Sequence, residues 1–293
     1  MSTEVIGYPG NSEAGGMVVE ETTKKICELY QNHLQEITVD RLIAGIFFTG
    51  VKLSNGLAGI SYTPTCDIHQ EGGCIHIDGI PRDHYHFEDF PVLGILGLKD
   101  EGMLIRTVQI VTLNALSAHF LNANHYRIVE DNDPLDLLDL SRIKNMAMVG
   151  AIPPFLKRLK AERSLKLHLI ERKKESLGED EIRFLVPEKA IPDILPRCDA
   201  VIITGAAVAN GSIEHLLHLV KKGTTVVVAG PTAGFLPDAF FSRDVSMVST
   251  VAVSDPDRTL DLLAEGNGAF QLFAKKCVRK INILNSAYRL PFS

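Results

Sequence analysis

Apolar residues recur along the chain in two different periods, and the change of period divides it. From Val18, VVEETTKKICELYQNHL sets Val18, Ile26, Leu29, Tyr30 and Leu34 at near-helical spacing, with Glu20 and Glu21 in the first turn, where the helix dipole favours negative charge. This predicts a first helix. LIAGIFFTGVKLSNGLAGISYT reads as two apolar runs around Leu53-Ser54-Asn55-Gly56, and Asn-Gly signals a hairpin because both residues tolerate positive φ. RTVQIVTLNALSAHFLNA returns to the helical period, and its Val108, Ile110, Val111, Leu113, Leu116 and Phe120 predict a largely buried helix. Between them, Thr63 to Pro91 is rich in Gly, Pro, His, Cys and Asp and reads as a long functional loop. The first part of the chain is therefore α+β.

The pattern changes after DNDPLDLLDLSRIKN, an acidic stretch opening on Asp-Pro that reads as a linker with a short helix. MAMVG, LKLHLIE, DAVIITG, TTVVVAG and VSMVSTVAV are short apolar runs, each ending in a turn. Most are separated by helix-like segments such as PPFLKRLKAE and SIEHLLHLVKKG. Strands alternating with helices imply right-handed crossovers and a Rossmann-like, doubly wound parallel sheet. The expected organisation is a flexible leader over 1–16, with four glycines and a proline, an α+β domain over 17–135 and the Rossmann-like domain over 136–293.

Composition narrows the function classes. The chain has 293 residues, 45% of them hydrophobic, and a net charge of −6, which provides no general attraction for nucleic acid or an anionic membrane. No basic segment precedes an apolar core at the N-terminus, and no apolar run approaches the roughly 20 residues of a membrane span, so a cytoplasmic protein is expected. Cys27, Cys66, Cys74, Cys198 and Cys277 are odd in number and scattered, which predicts reduced thiols. A homodimer is carried as an expectation, with no interface identified.

Chemistry is sought first where an open parallel sheet places its ligands, beyond the carboxyl ends of the strands. After the first strand, Gly150 allows a sharp turn and the prolines behind it suit a helix start, leaving amides for an anion; Glu171 closes the second strand about 20 residues on, where a dinucleotide fold places its ribose-binding acid. G-x-G-x-x-G is absent, which speaks against NAD. After the third strand, Thr204-Gly205 and Asn210-Gly211 bound a loop that Ser212 would close as a helix cap. After the fourth, Gly230-Pro231-Thr232 forms a second small loop on the same edge. Together they predict one wall of a pocket for a small anionic ligand.

The loop TCDIHQEGGCIHIDGIPRDHYHFEDF holds Cys66, His69, Cys74, His76, His84 and His86, donors that suit Zn²⁺ or another transition metal, although the spacing is not that of a zinc finger. A polar loop or surface histidines explain the same residues, and Cys66 alone could serve as a nucleophile. The cluster Lys157, Arg158, Lys160, Arg163 and Lys166, with Arg172, Lys173 and Lys174, reads as a solvated face.

MVGAIPPFLKRLK, PEKAIPDILPRCDAVIITGAAVANGSIEHLL, TTVVVAGPTAGFLPDAFF and EGNGAFQLFAKKCVRKINI together resemble the putative heavy-metal chelation domain family over about residues 145–283. More loosely, FTGVKLSNGLAGISYT and LNALS resemble the enolase N-terminal-like domain that precedes it there. The resemblance implies an active site between the domains and an enzyme that condenses or hydrolyses a pterin-, flavin- or siderophore-like molecule connected with metal handling. A non-catalytic metal or metallophore binder is the alternative. Carried over by position, it implies a site of Thr49, Ser54, Asn55 and Asn114 from the first domain with Glu171, Thr204, Asn210, Gly211 and Pro231 from the second.

Overall fold

The computed structural model describes residues 17–65, 87–99 and 102–291. It contains two sheets. Strands β1 (Val39–Ala44), β2 (Phe48–Leu53) and β3 (Ala58–Tyr62) form an antiparallel meander in the order β1-β2-β3. The predicted hairpin is thus its second half, because Gly45-Ile46-Phe47 breaks the first apolar run into two strands. Helix α1 (Val18–Tyr30) and helix α2 (Met103–Ser117) fall where helical periodicity placed them. Eleven of the fifteen residues of α2 are buried, and the reason lies at Gly59 in β3. A Cβ there would come within 2.5 Å of Ala115 N and Val111 O, so only glycine lets this helix backbone lie directly on the strand.

The second sheet has seven strands in the order β4-β10-β9-β8-β7-β5-β6: β4 (Arg127–Glu130), β5 (Asn145–Val149), β6 (Lys166–Ile170), β7 (Ala200–Thr204), β8 (Thr225–Ala229), β9 (Met247–Val253) and β10 (Val278–Leu284). The five predicted strands form its parallel part, β6-β5-β7-β8-β9. Two strands not foreseen, β10 and β4, extend it antiparallel. The parallel strands read as continuous apolar runs because both faces are covered. Ala147, Val201, Ile203, Val226 and Val228 pack on the side of α1 and α2. Met146, Met148, Ala200, Ile202 and Val227 pack with Phe155, Leu156 and Leu159 of helix α3 (Pro153–Leu159).

One apolar core runs across position 135, joining Val18, Ile26, Val51 and Val111 to Val201, Val228 and Ile283. The stretch read as a linker forms two 3₁₀ turns, Pro134–Leu137 and Leu140–Arg142, and buries Leu135, Leu137 and Leu138 against the other face of the large sheet. Its leucines pack; they do not span a gap. Among the described residues no helix is long and apolar enough to cross a membrane.

Candidate functional site

Strand order marks the candidate position for a ligand. From β5 it crosses to β6 on one side, then returns past β5 to β7 and continues to β8 and β9. Loops leaving β5 and β7 therefore diverge, and the gap between them is the topological switch point at which open parallel sheets bind ligands.

At this point the predicted loops form a closed chain of contacts. Gly150, at φ +82°, leaves β5 against Thr204 at the end of β7, where a Cβ on Gly150 would meet Thr204 Cγ2 at 2.4 Å. Thr204 leads into Gly205, whose Cα packs on the Gly230–Ala233 turn, a Cβ there falling 3.1 Å from Ala233 N and 3.3 Å from Thr232 Cβ. The buried Thr232 hydroxyl accepts the Tyr62 amide at 3.1 Å, with Ser61 Oγ at 3.4 Å, so the small sheet closes onto the large one. The Tyr62 side chain then reaches across to the end of β6, where Lys173 Nζ lies 3.2 Å from its hydroxyl. Lys173 Nζ is 5.8 Å from the ring centroid, which seats the ammonium beside the oxygen and not over the ring face. Glu171 completes the circuit, its Oε1 accepting the Lys173 amide at 2.8 Å and its Oε2 the Ala151 amide at 2.7 Å.

Some expected roles change. The Ala151 amide expected to face an anion is held by Glu171, because the ends of the parallel neighbours β5 and β6 lie side by side, Val149 opposite Ile170. Asn210 is exposed, and its Oδ1 accepts both the Ser212 amide at 3.1 Å and the Ser212 hydroxyl at 2.7 Å. Ser212 therefore gives its hydroxyl to Asn210 and makes no side-chain cap for the helix Ile213–Leu219. Gly211 adopts the left-handed turn foreseen for it, at φ +72°, and the Arg106 guanidinium of α2 rests on it, 3.3 Å from where a Cβ would stand.

From the first half of the chain, Asn114 joins these contacts: buried in α2, it donates from Nδ2 to Ile60 O at 2.8 Å and to Pro231 O at 2.9 Å. Thr49 is buried and 3.0 Å from the Thr63 hydroxyl, opposite Ser61 in the strand register. Ser54 and Asn55 stand apart. They occupy the exposed turn at the other end of β3, on the order of 15 Å from Tyr62 at the rise of an extended strand. Ser54 Oγ there accepts the Thr38 amide at 3.1 Å and Asn55 Oδ1 the Leu57 amide at 3.2 Å.

Cys66, His69, Cys74, His76, His84 and His86 lie outside the described residues. Among the described residues no group of three or more His, Cys, Asp and Glu side chains could hold a metal ion. Burial pushes the thiols of Cys27 and Cys277 up and that of Cys198 up to about 11, so these three stay protonated. A separate open cavity of about 470 Å³, lined by Asp131, Ser254, Phe273, Lys276, Val278, Arg279 and Lys280, contains none of the predicted residues. It lies beyond β9 and β4, and the convergence of backbone and polar side chains at the switch point outweighs its volume.

Tyr62 and Arg106 were not singled out from the sequence, and Lys173 was read there only as part of a basic cluster on a solvated face. Within that cluster Arg172 pairs with Glu188 at 3.3 Å and Lys160 with Asp180 at 2.7 Å. For Lys173 the available signal was its position two residues after Glu171, at a strand end.

A family model described as "Putative heavy-metal chelation" (DUF364) matches residues 133–283, and a second model of the same description (DUF4213) matches residues 27–117. An uncharacterised protein of Methanocaldococcus jannaschii is 26% identical over 156 residues, 53% of this chain and 57% of that protein, so the chain spans little more than half of this curated relative. A solved structure of a DUF364-family protein of unknown function from Pyrococcus horikoshii shares the fold with a TM-score of 0.73 and 21% identity, covering 92% of this chain and 100% of that one. Another DUF364-family structure of unknown function, from Desulfitobacterium hafniense DCB-2, has a TM-score of 0.64 and 19% identity over 89% of this chain and 98% of that one. The chain thus belongs to the DUF364 family, described as "Putative heavy-metal chelation".

Proposed function

We propose that the protein holds a small anionic metabolite with metal-chelating donors, of the pterin, flavin or siderophore kind, in the groove between the β5 and β7 loops. The observation that carries this reading is the ring of contacts from Gly150 through Thr204, Gly205, Thr232, Tyr62 and Lys173 to Glu171, at the switch point of the sheet. It draws together small residues, hydroxyls and an ammonium from both halves of the chain, which suits a compact polar ligand with negative charge. The family description supports a connection with metal handling.

Condensation or hydrolysis of the metabolite is the enzymatic form of this reading, and sequestration its non-catalytic form. Glu171 favours sequestration, since both of its carboxylate oxygens are engaged by loop amides and it is poorly placed to accept a substrate proton. Protein purified without an affinity tag should release a pterin, flavin or metallophore on denaturation, detected by mass spectrometry. The recovered compound should rebind the wild type and bind Lys173→Ala at least tenfold more weakly. Absence of any such compound, or equal binding to the variant, would overturn the proposal.

A further inference from the structure

We infer that Tyr62 and Lys173 act as a paired donor for an anionic oxygen of the ligand, the phenol supplying a hydrogen bond and the ammonium the charge. The inference rests on the groove reading above and names the two groups that recognise the anion.

The argument begins with donor and acceptor capacity. A lysine ammonium has three donors and no acceptor, so in the 3.2 Å contact Lys173 Nζ must donate and the Tyr62 oxygen must accept. The phenol hydrogen is thereby turned away from the lysine and can be donated to a second group. An O–H polarised by an accepted charge-assisted bond is a stronger donor than a free phenol, because successive hydrogen bonds polarise one another. Both side chains are half-buried, exposed enough for a ligand to reach and sheltered enough for the bond to count.

Two backbone anchors hold the pair in place. The Tyr62 amide donates to the buried Thr232 hydroxyl, and the Lys173 amide donates to Glu171. Tyr62 ends β3 of the small sheet and Lys173 lies in the loop after β6 of the large one, so the clamp exists only when the halves of the chain are docked. A ligand oxygen accepting from Tyr62 would also lie near the Lys173 ammonium. Carboxylate, phosphate and the ionised oxygens of catechol- or hydroxamate-type chelators all share the chemistry this geometry recognises.

The test uses the full chain carrying ¹³C at the tyrosine ζ carbon and ¹⁵N on its amides, titrated with inorganic phosphate and, in parallel, benzoate. The Tyr62 signal is identified by its loss in Tyr62→Phe, which keeps the ring and the backbone bond to Thr232. At least one anion should shift the Tyr62 signal saturably. Tyr62→Phe and Lys173→Met should each weaken that anion roughly tenfold, the scale of one lost hydrogen bond to a charged group. If the amides of Gly150, Gly205 or Gly230 respond while Tyr62 stays still, the paired-donor inference falls and the groove reading stands. If neither the amides nor Tyr62 responds to either anion, both fall.

Discussion

Gly150 stands so close to Thr204 that a Cβ on the glycine would lie 2.4 Å from Thr204 Cγ2 and 2.8 Å from its Cβ. The contact joins the ends of β5 and β7, two strands neighbouring in space but separated in the chain by the whole β6 excursion. Gly150 is also at φ +82°, where a side chain is strained whatever the space around it. Gly150→Ala should therefore cost about 3 kcal/mol in urea denaturation, combining backbone strain with overpacking. Adding Thr204→Ser removes Cγ2 and should recover about 1 kcal/mol, a coupling measurable in a double-mutant cycle. Purely additive effects would show that the steric contact does not govern the turn.

Asn114 holds the two halves of the chain together from inside the core. Its amide nitrogen bonds Ile60 O in the small sheet and Pro231 O in the β8 loop. Asn114→Asp keeps the shape but replaces the donor with an acceptor facing two carbonyls at hydrogen-bond distance. The expected loss is about 3 kcal/mol, because buried carbonyls are left unpaired beside a buried carboxyl. Calorimetry of the variant should show a lowered Tm. An unchanged Tm would mean that these two bonds contribute nothing net to the joint.

His168 in β6 links folding to pH near neutrality. Burial, with Lys166 nearby as the lesser cause, depresses its pKa below the ordinary value. In the unfolded chain the imidazole takes its proton near pH 6.5. The unfolded state therefore binds more protons between pH 6.5 and the lower folded value, and stability must decrease as pH falls through that window. The urea midpoint should drop from pH 7.5 to pH 5.5 in the wild type, and the drop should shrink in His168→Gln. A drop of the same size in the variant would assign the effect to other groups.

The large sheet was legible because its parallel strands are covered on both faces, which makes each an unbroken apolar run such as AVIIT or TVVVA. Strands β4, RIVE, and β10, VRKINIL, were not, because their charged positions resemble a surface segment. Arg279 and Lys280 of β10 in fact pair with Glu130 and Asp133 at the sheet border. In the site, glycines gave the loops away, since positive φ and close approach leave few alternatives to glycine at Gly150 and Gly230. Side chains that act across sheets left no such mark. Tyr62 and Lys173 meet at a separation of 111 residues, and no local pattern encodes that meeting. The Ser54-Asn55 turn shows the converse, since its composition fixes the hairpin and its place in the fold keeps it far from the groove.

The remaining question of metal can be put to specific thiols. A thiol binds a transition metal as the thiolate, and burial keeps Cys27, Cys198 and Cys277 protonated, Cys198 with a pKa near 11. The described residues also lack any cluster of His, Cys, Asp and Glu able to hold an ion. Direct chelation by this chain would then depend on Cys66, Cys74 and the histidines between His69 and His86. Tag-free protein equilibrated with Zn²⁺ and desalted should retain stoichiometric metal by elemental analysis. Cys66→Ser and His84→Ala should each lower the content severalfold, while Cys198→Ala leaves it unchanged. Retention that survives both loop substitutions would place the metal elsewhere, and no retention in the wild type would leave chelation to the ligand in the groove and not to the protein.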